Sequence, residues 1–348
     1  MATLKDIGDE LGLSTATVSR ALNGFPEVNA ATRTRVVEVA TRLGYRPNRI
    51  AQRLVTGRSG MVGMIVKVNP DMSTDRNFLE TLTGLTAALA QRDVELVLSV
   101  DQHDNPIAAY QRILERGILD GFILNAPQLN DPRIEFLRQR GIPFAVHGVV
   151  PGDTDYPYYA VNNHGIAKVS VDFLLSLGHR RIAYLNGERG HVYAEERAAG
   201  FAKVMQAEGL GVPDAFHTFL EPVENEGYLS AINMLSGRAG PRPTAIICSS
   251  VVLAVGAMRA AKDLGLNVPS DLSIIAHDDD LPDMRSDTLV PQLTVTMSPL
   301  RDACVPLANH LIDRITSGPT VVPQTVAEAR LVVRASTATV PLGHSDPW

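Results

Sequence analysis

Leu4, Ile7 and Leu11 recur at i, i+3 and i+7, a spacing that predicts a short helix with one apolar stripe. Thr3 is placed to cap it, with Asp6 supporting the first turn, and Gly12 can take the left-handed conformation that ends it. A second helix follows Ser14, with Val18, Ala21 and Leu22 turned inward and Thr15, Ala16, Thr17, Ser19 and Arg20 outward. After the turn Asn23-Gly24-Phe25-Pro26, a third helix is predicted from about Ala30 to Leu43, its apolar side made of Val36, Val37, Val39, Ala40 and Leu43. Small polar side chains with one arginine suit a helix that approaches base edges closely, since arginine can bond guanine through two parallel hydrogen bonds. By spacing alone, an ordinary helical hairpin with a polar face fits equally well.

From Met61 the pattern becomes an alternation of apolar strands and amphipathic helices. Strands are predicted at 61–68, 94–100, 121–124, 144–147, 182–186, 215–219, 245–249 and 272–276. The helices fall at 78–92, 106–116, 131–140, 165–177, 195–208, 227–236, 253–264 and 300–316. Near-continuous apolar strands separated by helices mean parallel sheets covered on both faces. An internal echo, Phe78-x5-Gly84 in the first half and Arg197-x2-Gly200-Phe201 in the second, suggests two similar doubly wound lobes facing each other across a cleft. The fold class expected is a small all-α helix-turn-helix head plus a two-lobed α/β domain. Boundaries are expected at 1–46 for the head, 47–60 for a short hinge helix or linker, and 61–348 for the lobes.

Charge sharpens this division. The chain of 348 residues carries a net −6, yet its first 60 residues hold nine Lys/Arg against five acids. A basic head on an acidic body fits a DNA-binding module fused to a domain that avoids phosphates. Two cysteines, Cys248 and Cys304, exclude a disulfide framework and offer no metal-ligand spacing; two buried thiols are expected. There is no signal-peptide pattern and no long apolar run, so a cytoplasmic chain with no membrane partner, metal or cofactor is expected.

Residues 2–23, ATLKDIGDELGLSTATVSRALN, resemble the DNA head of the LacI/GalR family of bacterial repressors. Gly44-Tyr45-Arg46-Pro47-Asn48 and Ile50-Ala51-Gln52-Arg53-Leu54 are similar to its link and hinge helix. Leu177-Gly178-His179-Arg180-Arg181-Ile182-Ala183, Arg197-x2-Gly200-Phe201 and Gly256-Ala257-Met258-Arg259-Ala260 extend the likeness over essentially the whole chain. The resemblance implies a homodimeric transcription regulator that binds a near-palindromic operator. Thr15, Ala16 and Arg20 stand at its base-reading positions. Ser14, Thr17, Ser19, Asn23, Asn29, Thr32, Tyr45 and Asn48 stand at backbone-contacting ones. Ala51 and Leu54 match hinge residues that enter the minor groove, where an apolar wedge bends DNA.

For the cleft, the resemblance implies Arg197 and Asp278 as donor and acceptor for the hydroxyls of a sugar, with Asp279 and Asp280 structural or solvated. Asn69, Phe78, His147 and Ser250 complete the expected effector set. Two departures stand out: Ser249-Ser250-Val251 where relatives often carry Asn-Asp, and Pro222 or Val223 where the lactose repressor has an aromatic residue. The expected function is a repressor of carbohydrate uptake and catabolism genes released by a sugar, an α-glucoside or other oligosaccharide. The alternatives are a regulator with a non-sugar effector such as a nucleoside, and a sugar-binding protein without a DNA role. An enzyme is disfavoured, since no G-x-G-x-x-G loop, P-loop or G-x-S-x-G elbow occurs in the cleft segments.

Overall fold

The computed structural model describes residues 2–45, 57–67, 76–101, 105–152, 154–238, 240–320 and 322–340. The chain divides into two compact units, with the boundary between Ser59 and Gly60. The expected hinge at 47–60 lies largely outside the described residues.

The first unit contains α1 (Leu4–Leu11), α2 (Thr15–Leu22) and α3 (Ala30–Arg42). Thr3 and Asp6 cap α1 reciprocally: the Asp6 N–H donates to Thr3 Oγ1 at 3.3 Å and the Thr3 N–H to Asp6 Oδ2 at 2.8 Å. Gly12 closes it at φ 67°. Ile7, Val18, Ala21, Val28, Val36, Val39 and Ala40 form the core, with Leu4, Leu11, Leu13, Leu22, Leu43 and Tyr45 around it. Val37, expected on the inner side of α3, is instead 47% exposed. It follows Val36 by about 100° of helical rotation, which carries it off the apolar face. The Arg33 guanidinium pins the turn before α3 by donating to the carbonyls of Phe25 (2.9 Å) and Val28 (3.3 Å).

The second unit holds two six-stranded sheets. One runs β11-β5-β4-β3-β1-β2: β1 (Met61–Lys67), β2 (Glu95–Asp101), β3 (Gly121–Asn125), β4 (Phe144–His147), β5 (Tyr158–Val161) and β11 (Gln324–Ala327), all parallel. The other runs β12-β10-β9-β8-β6-β7: β6 (Ile182–Asn186), β7 (His217–Phe219), β8 (Ala245–Cys248), β9 (Ser273–Asp278), β10 (Thr294–Met297) and β12 (Arg330–Val332). Only β12 is antiparallel there. The helices are α4 (Arg76–Ala90), α5 (Pro106–Arg116), α6 (Pro132–Gln139), α7 (Asn163–Ser176), α8 (Val192–Ala207), α9 (Glu224–Leu235), α10 (Val251–Asp263) and α11 (Arg301–Ser317).

The chain passes between the sheets three times: after β5, between β10 and α11, and between β11 and β12. Thus α11 follows a strand of the second sheet but buries Cys304, Leu307 and Leu311 against Val62, Met64, Leu85 and Leu89 of the first lobe. Strands β5, β10, β11 and β12 did not emerge from the apolar pattern. They are three or four residues long, and β11 and β12 lie at sheet edges with alternating or partial exposure. The echoed glycines are close-approach points. A Cβ at Gly84 would lie 2.5 Å from Cys304 Sγ, and one at Gly200 2.5 Å from the His164 carbonyl oxygen. Both cysteines are buried thiols. No helix among the described residues is long and apolar enough to cross a membrane.

Candidate functional site

On the head, α2 is held by Ser14, whose Oγ accepts the Thr17 N–H at 3.1 Å and shares a hydrogen bond with Thr17 Oγ1 at 2.9 Å. Asn23 donates to the Ser19 carbonyl at 2.9 Å, and Asn29 Oδ1 accepts the Thr32 N–H at 2.8 Å to start α3. These side chains are therefore positioned by the head itself, each keeping hydrogen-bonding capacity to spare. Thr15, Ala16 and Arg20 are exposed, and Arg20 makes no hydrogen bond or ion pair among the described residues. The helix thus presents two small side chains and an uncommitted guanidinium. Tyr45 packs at the rim of the head core. Asn48, Ala51 and Leu54 lie outside the described residues.

In the second unit, the polar side chains collect where parallel strands end. Asn125 closes β3, His147 closes β4, Asn163 follows β5, Ser249 follows β8 and Asp279 follows β9. Arg197, in α8, is 6% exposed; its Nε donates to Asn163 Oδ1 at 2.8 Å and its Nη1 to the Ser249 carbonyl at 3.0 Å. Its guanidinium carbon stands 5.4 Å from the Tyr193 ring centre. Two contacts fix the group and leave N–H donors for a ligand.

The acid differs from expectation. Asp278 is 3% exposed and spent inside its own loop: Oδ1 accepts the Asp280 N–H at 2.8 Å and Oδ2 the Ser286 hydroxyl. Asp279, expected to be structural or solvated, takes the cleft position. Its Oδ2 accepts Asn77 Nδ2 from the other lobe at 3.0 Å, and its Oδ1 lies 3.5 Å from His277 Nε2. Burial alone would raise the Asp279 carboxyl, but His277, Arg197 and Asn77 hold it below the usual carboxylate range. His277 is lowered by burial and by Arg197, which keeps it neutral between Thr296 Oγ1 (3.1 Å) and Ser298 Oγ (3.2 Å).

Of the other expected residues, His147 donates from Nδ1 to Asn125 Oδ1 at 3.0 Å, leaving Nε2 an acceptor, and burial pushes it down to about 4. Phe78 is buried in the first turn of α4, next to Asn77. Ser250 caps α10, accepting the Leu253 N–H at 3.3 Å, so its oxygen is largely committed. Asn69 lies outside the described residues. Sequence reading missed Asn77, Asn125, Asn163, Tyr193 and Asp279. The available signal was position: most stand at or just past the carboxyl end of an apolar strand, where open α/β sheets bind ligands.

Among the described residues, the contacts that join the lobes include two sets. Asn77–Asp279 and the Arg76–Asp283 ion pair (2.6 Å) link α4 to the loop after β9. The backbone of 127–129 pairs with 190–192, Val192 donating to Pro127 at 3.0 Å and Leu129 to Gly190 at 3.2 Å.

Residues 3–48 match the family model "Bacterial regulatory proteins, lacI family", and residues 171–337 the model "Periplasmic binding protein-like domain". The chain is 40% identical over 339 residues to the HTH-type transcriptional regulator AglR of Rhizobium meliloti (strain 1021), covering 97% of this chain and 95% of that one. It is 33% identical to the HTH-type transcriptional regulator RafR of Escherichia coli, over 79% of this chain and 81% of the other. The chain belongs to the LacI family of bacterial regulatory proteins.

Its structure matches two solved relatives over nearly its whole length. With the Lac repressor dimer bound to operator and the anti-inducer ONPF, the TM-score is 0.79 at 25% identity, over 97% of this chain and 99% of the other. With a CelR–cellobiose complex, the TM-score is 0.71 at 26% identity, over 97% of this chain and all of the other. As a LacI-family member, the chain is a DNA-binding regulator of transcription: its helical head is the DNA module and its two lobes the effector module.

Proposed function

We propose that this regulator is a homodimeric repressor of carbohydrate uptake and catabolism genes, that α2 reads its near-palindromic operator, and that a sugar bound between the lobes releases it. The supporting observation is the facing pair of a fixed arginine, Arg197, and an ionised acid, Asp279, among neutral hydrogen-bonding groups: His147, Asn125, Asn77 and Asn163. Such a set matches several uncharged hydroxyls better than one net charge. The CelR relative is in complex with cellobiose, and an α-glucoside or other oligosaccharide fits the same chemistry here. Thr15, Ala16 and Arg20 read bases, while Ser14, Thr17, Ser19, Asn23, Asn29, Thr32 and Tyr45 hold the phosphate backbone, with Asn48, Ala51 and Leu54 assigned to the same interface. Leu98 and Val100 on edge strand β2 are 36% and 47% exposed, an apolar edge suited to a second copy.

The test is fluorescence anisotropy of an operator selected from random duplexes. Millimolar maltose, sucrose, trehalose or cellobiose should weaken binding at least tenfold. Operator affinity indifferent to every sugar in the panel would refute the sugar reading while leaving DNA binding intact.

A further inference from the structure

A second concavity lies apart from the ligand set of the cleft. It runs between α8 and edge strand β7, encloses about 610 Å³, and is lined by Phe201, Met205, Leu210, Val212, His217 and Phe219, with Arg189 at one end. That volume is in the range of small-molecule sites. Two of its lining rings belong to a column that starts at the buried Tyr184: Tyr184 and His217 are stacked at 5.6 Å, and His217 and Phe219 at 5.2 Å. Phe201 leans on His217 at 5.4 Å. Arg189 continues the column, its guanidinium carbon 3.9 Å from the Phe219 ring centre. Stacked so, the guanidinium keeps its N–H edge open, and Arg189 makes no hydrogen bond or ion pair among the described residues. His217 Nε2 is buried and has no hydrogen-bond partner among the described residues. Burial, and next to it Arg189, lower the His217 pKa against the opposing pull of Glu195, whose carboxylate is held by the Gly190 N–H at 2.9 Å. Asp214 also lines the groove and carries the opposing charge.

An apolar, ring-lined groove with one uncommitted guanidinium calls for a flat apolar body bearing one anionic group. Charge also sets the orientation: the anion sits at Arg189, in the bidentate geometry guanidinium offers a carboxylate. We propose that this groove is a second ligand site, separate from the sugar-binding set, which takes a small aromatic carboxylate with its ring against Phe201, Met205 and the edges of the His217–Phe219 stack and its carboxylate on Arg189.

The probe is 4-phenylbutyrate, followed by calorimetry on the full-length protein, with 4-phenylbutanol and octanoate as comparison compounds. Binding should be at least tenfold weaker for the uncharged alcohol and for octanoate. Arg189→Ala should weaken 4-phenylbutyrate at least tenfold, Phe219→Leu several-fold, and Asp279→Asn, in the cleft, should leave it unchanged. Arg189→Lys, which keeps the charge but loses the stacked fork, should recover only part of the loss. No binding at millimolar 4-phenylbutyrate, equal binding of octanoate, or loss in Asp279→Asn with retention in Arg189→Ala would each overturn the assignment.

Discussion

Adjacent carboxylates in this chain do different work, because a strand sends successive side chains to opposite faces. Asp278 ends β9 facing its own loop, whereas Asp279 reaches Asn77 of the other lobe. The family resemblance and the place of Ala276-His277-Asp278-Asp279-Asp280 after an apolar strand led to an acid being expected at the cleft. They did not show which, since the choice depends on where the strand stops alternating and the chain turns, with Asp280 at φ 56°. Arg197 was named through the family resemblance rather than from its helix, and the structure holds it against Asn163 and the Ser249 carbonyl. The two acids separate experimentally. Asp279→Asn should weaken sugar binding tenfold or more, measured by calorimetry, with the melting temperature nearly unchanged. Asp278→Ala should instead destabilise the fold by about 1–3 kcal/mol in urea unfolding, since it strands the Ser286 hydroxyl and the Asp280 N–H.

Among the elements, the long helices and the strands that alternate with them could be read from the pattern, and β5, β10, β11 and β12 could not. A strand of three or four residues shows no period of its own. Strands β4, β7 and β8 are as short but come after a helix in the alternation. By contrast, β5, β10 and β12 follow another strand with no helix between, and β12 gains its place by pairing with β10. The glycines of the internal echo likewise became intelligible only through packing. Gly200→Ala would drive a methyl group into the His164 carbonyl, which is backbone and yields little; Gly84→Ala meets the Cys304 side chain. Gly200→Ala should cost about 1–3 kcal/mol in urea unfolding and exceed the cost of Gly84→Ala.

His179, part of the family-like stretch after α7, is a staple. It is buried between Thr244 Oγ1 (2.9 Å), Ser273 Oγ (3.0 Å) and the Ala338 carbonyl (3.0 Å), holding the final segment against β9. Burial lowers it from about 6.5 to about 4. The unfolded chain therefore binds this proton more readily than the fold, so the stabilisation is complete above pH 6.5 and falls away toward pH 4. The full span is on the order of 3 kcal/mol. His179→Gln should lower stability at pH 7 but flatten the loss between pH 6.5 and 4.5, as followed by thermal melts; an unchanged slope would show that the acid sensitivity arises elsewhere.

At the scale of the whole molecule, the division into a helical head and two α/β lobes was visible in the change of hydrophobic period at Met61 and in the charge contrast between the parts. The passage of α11 back to the first lobe was not visible, because nothing local marks which sheet a helix will cover. That triple passage bears on control: if the lobes adopt two arrangements that differ in contacts such as Asn77–Asp279, a ligand acts by the difference in its affinity for the two. If operator and sugar favour different arrangements, each must weaken the other by the same factor. The decisive measurement is the sugar affinity of the full-length protein by calorimetry, alone and saturated with its operator. Sugar should bind operator-loaded protein more weakly, by the factor with which saturating sugar weakens operator binding. Equal sugar affinity in the two states would contradict a coupled switch.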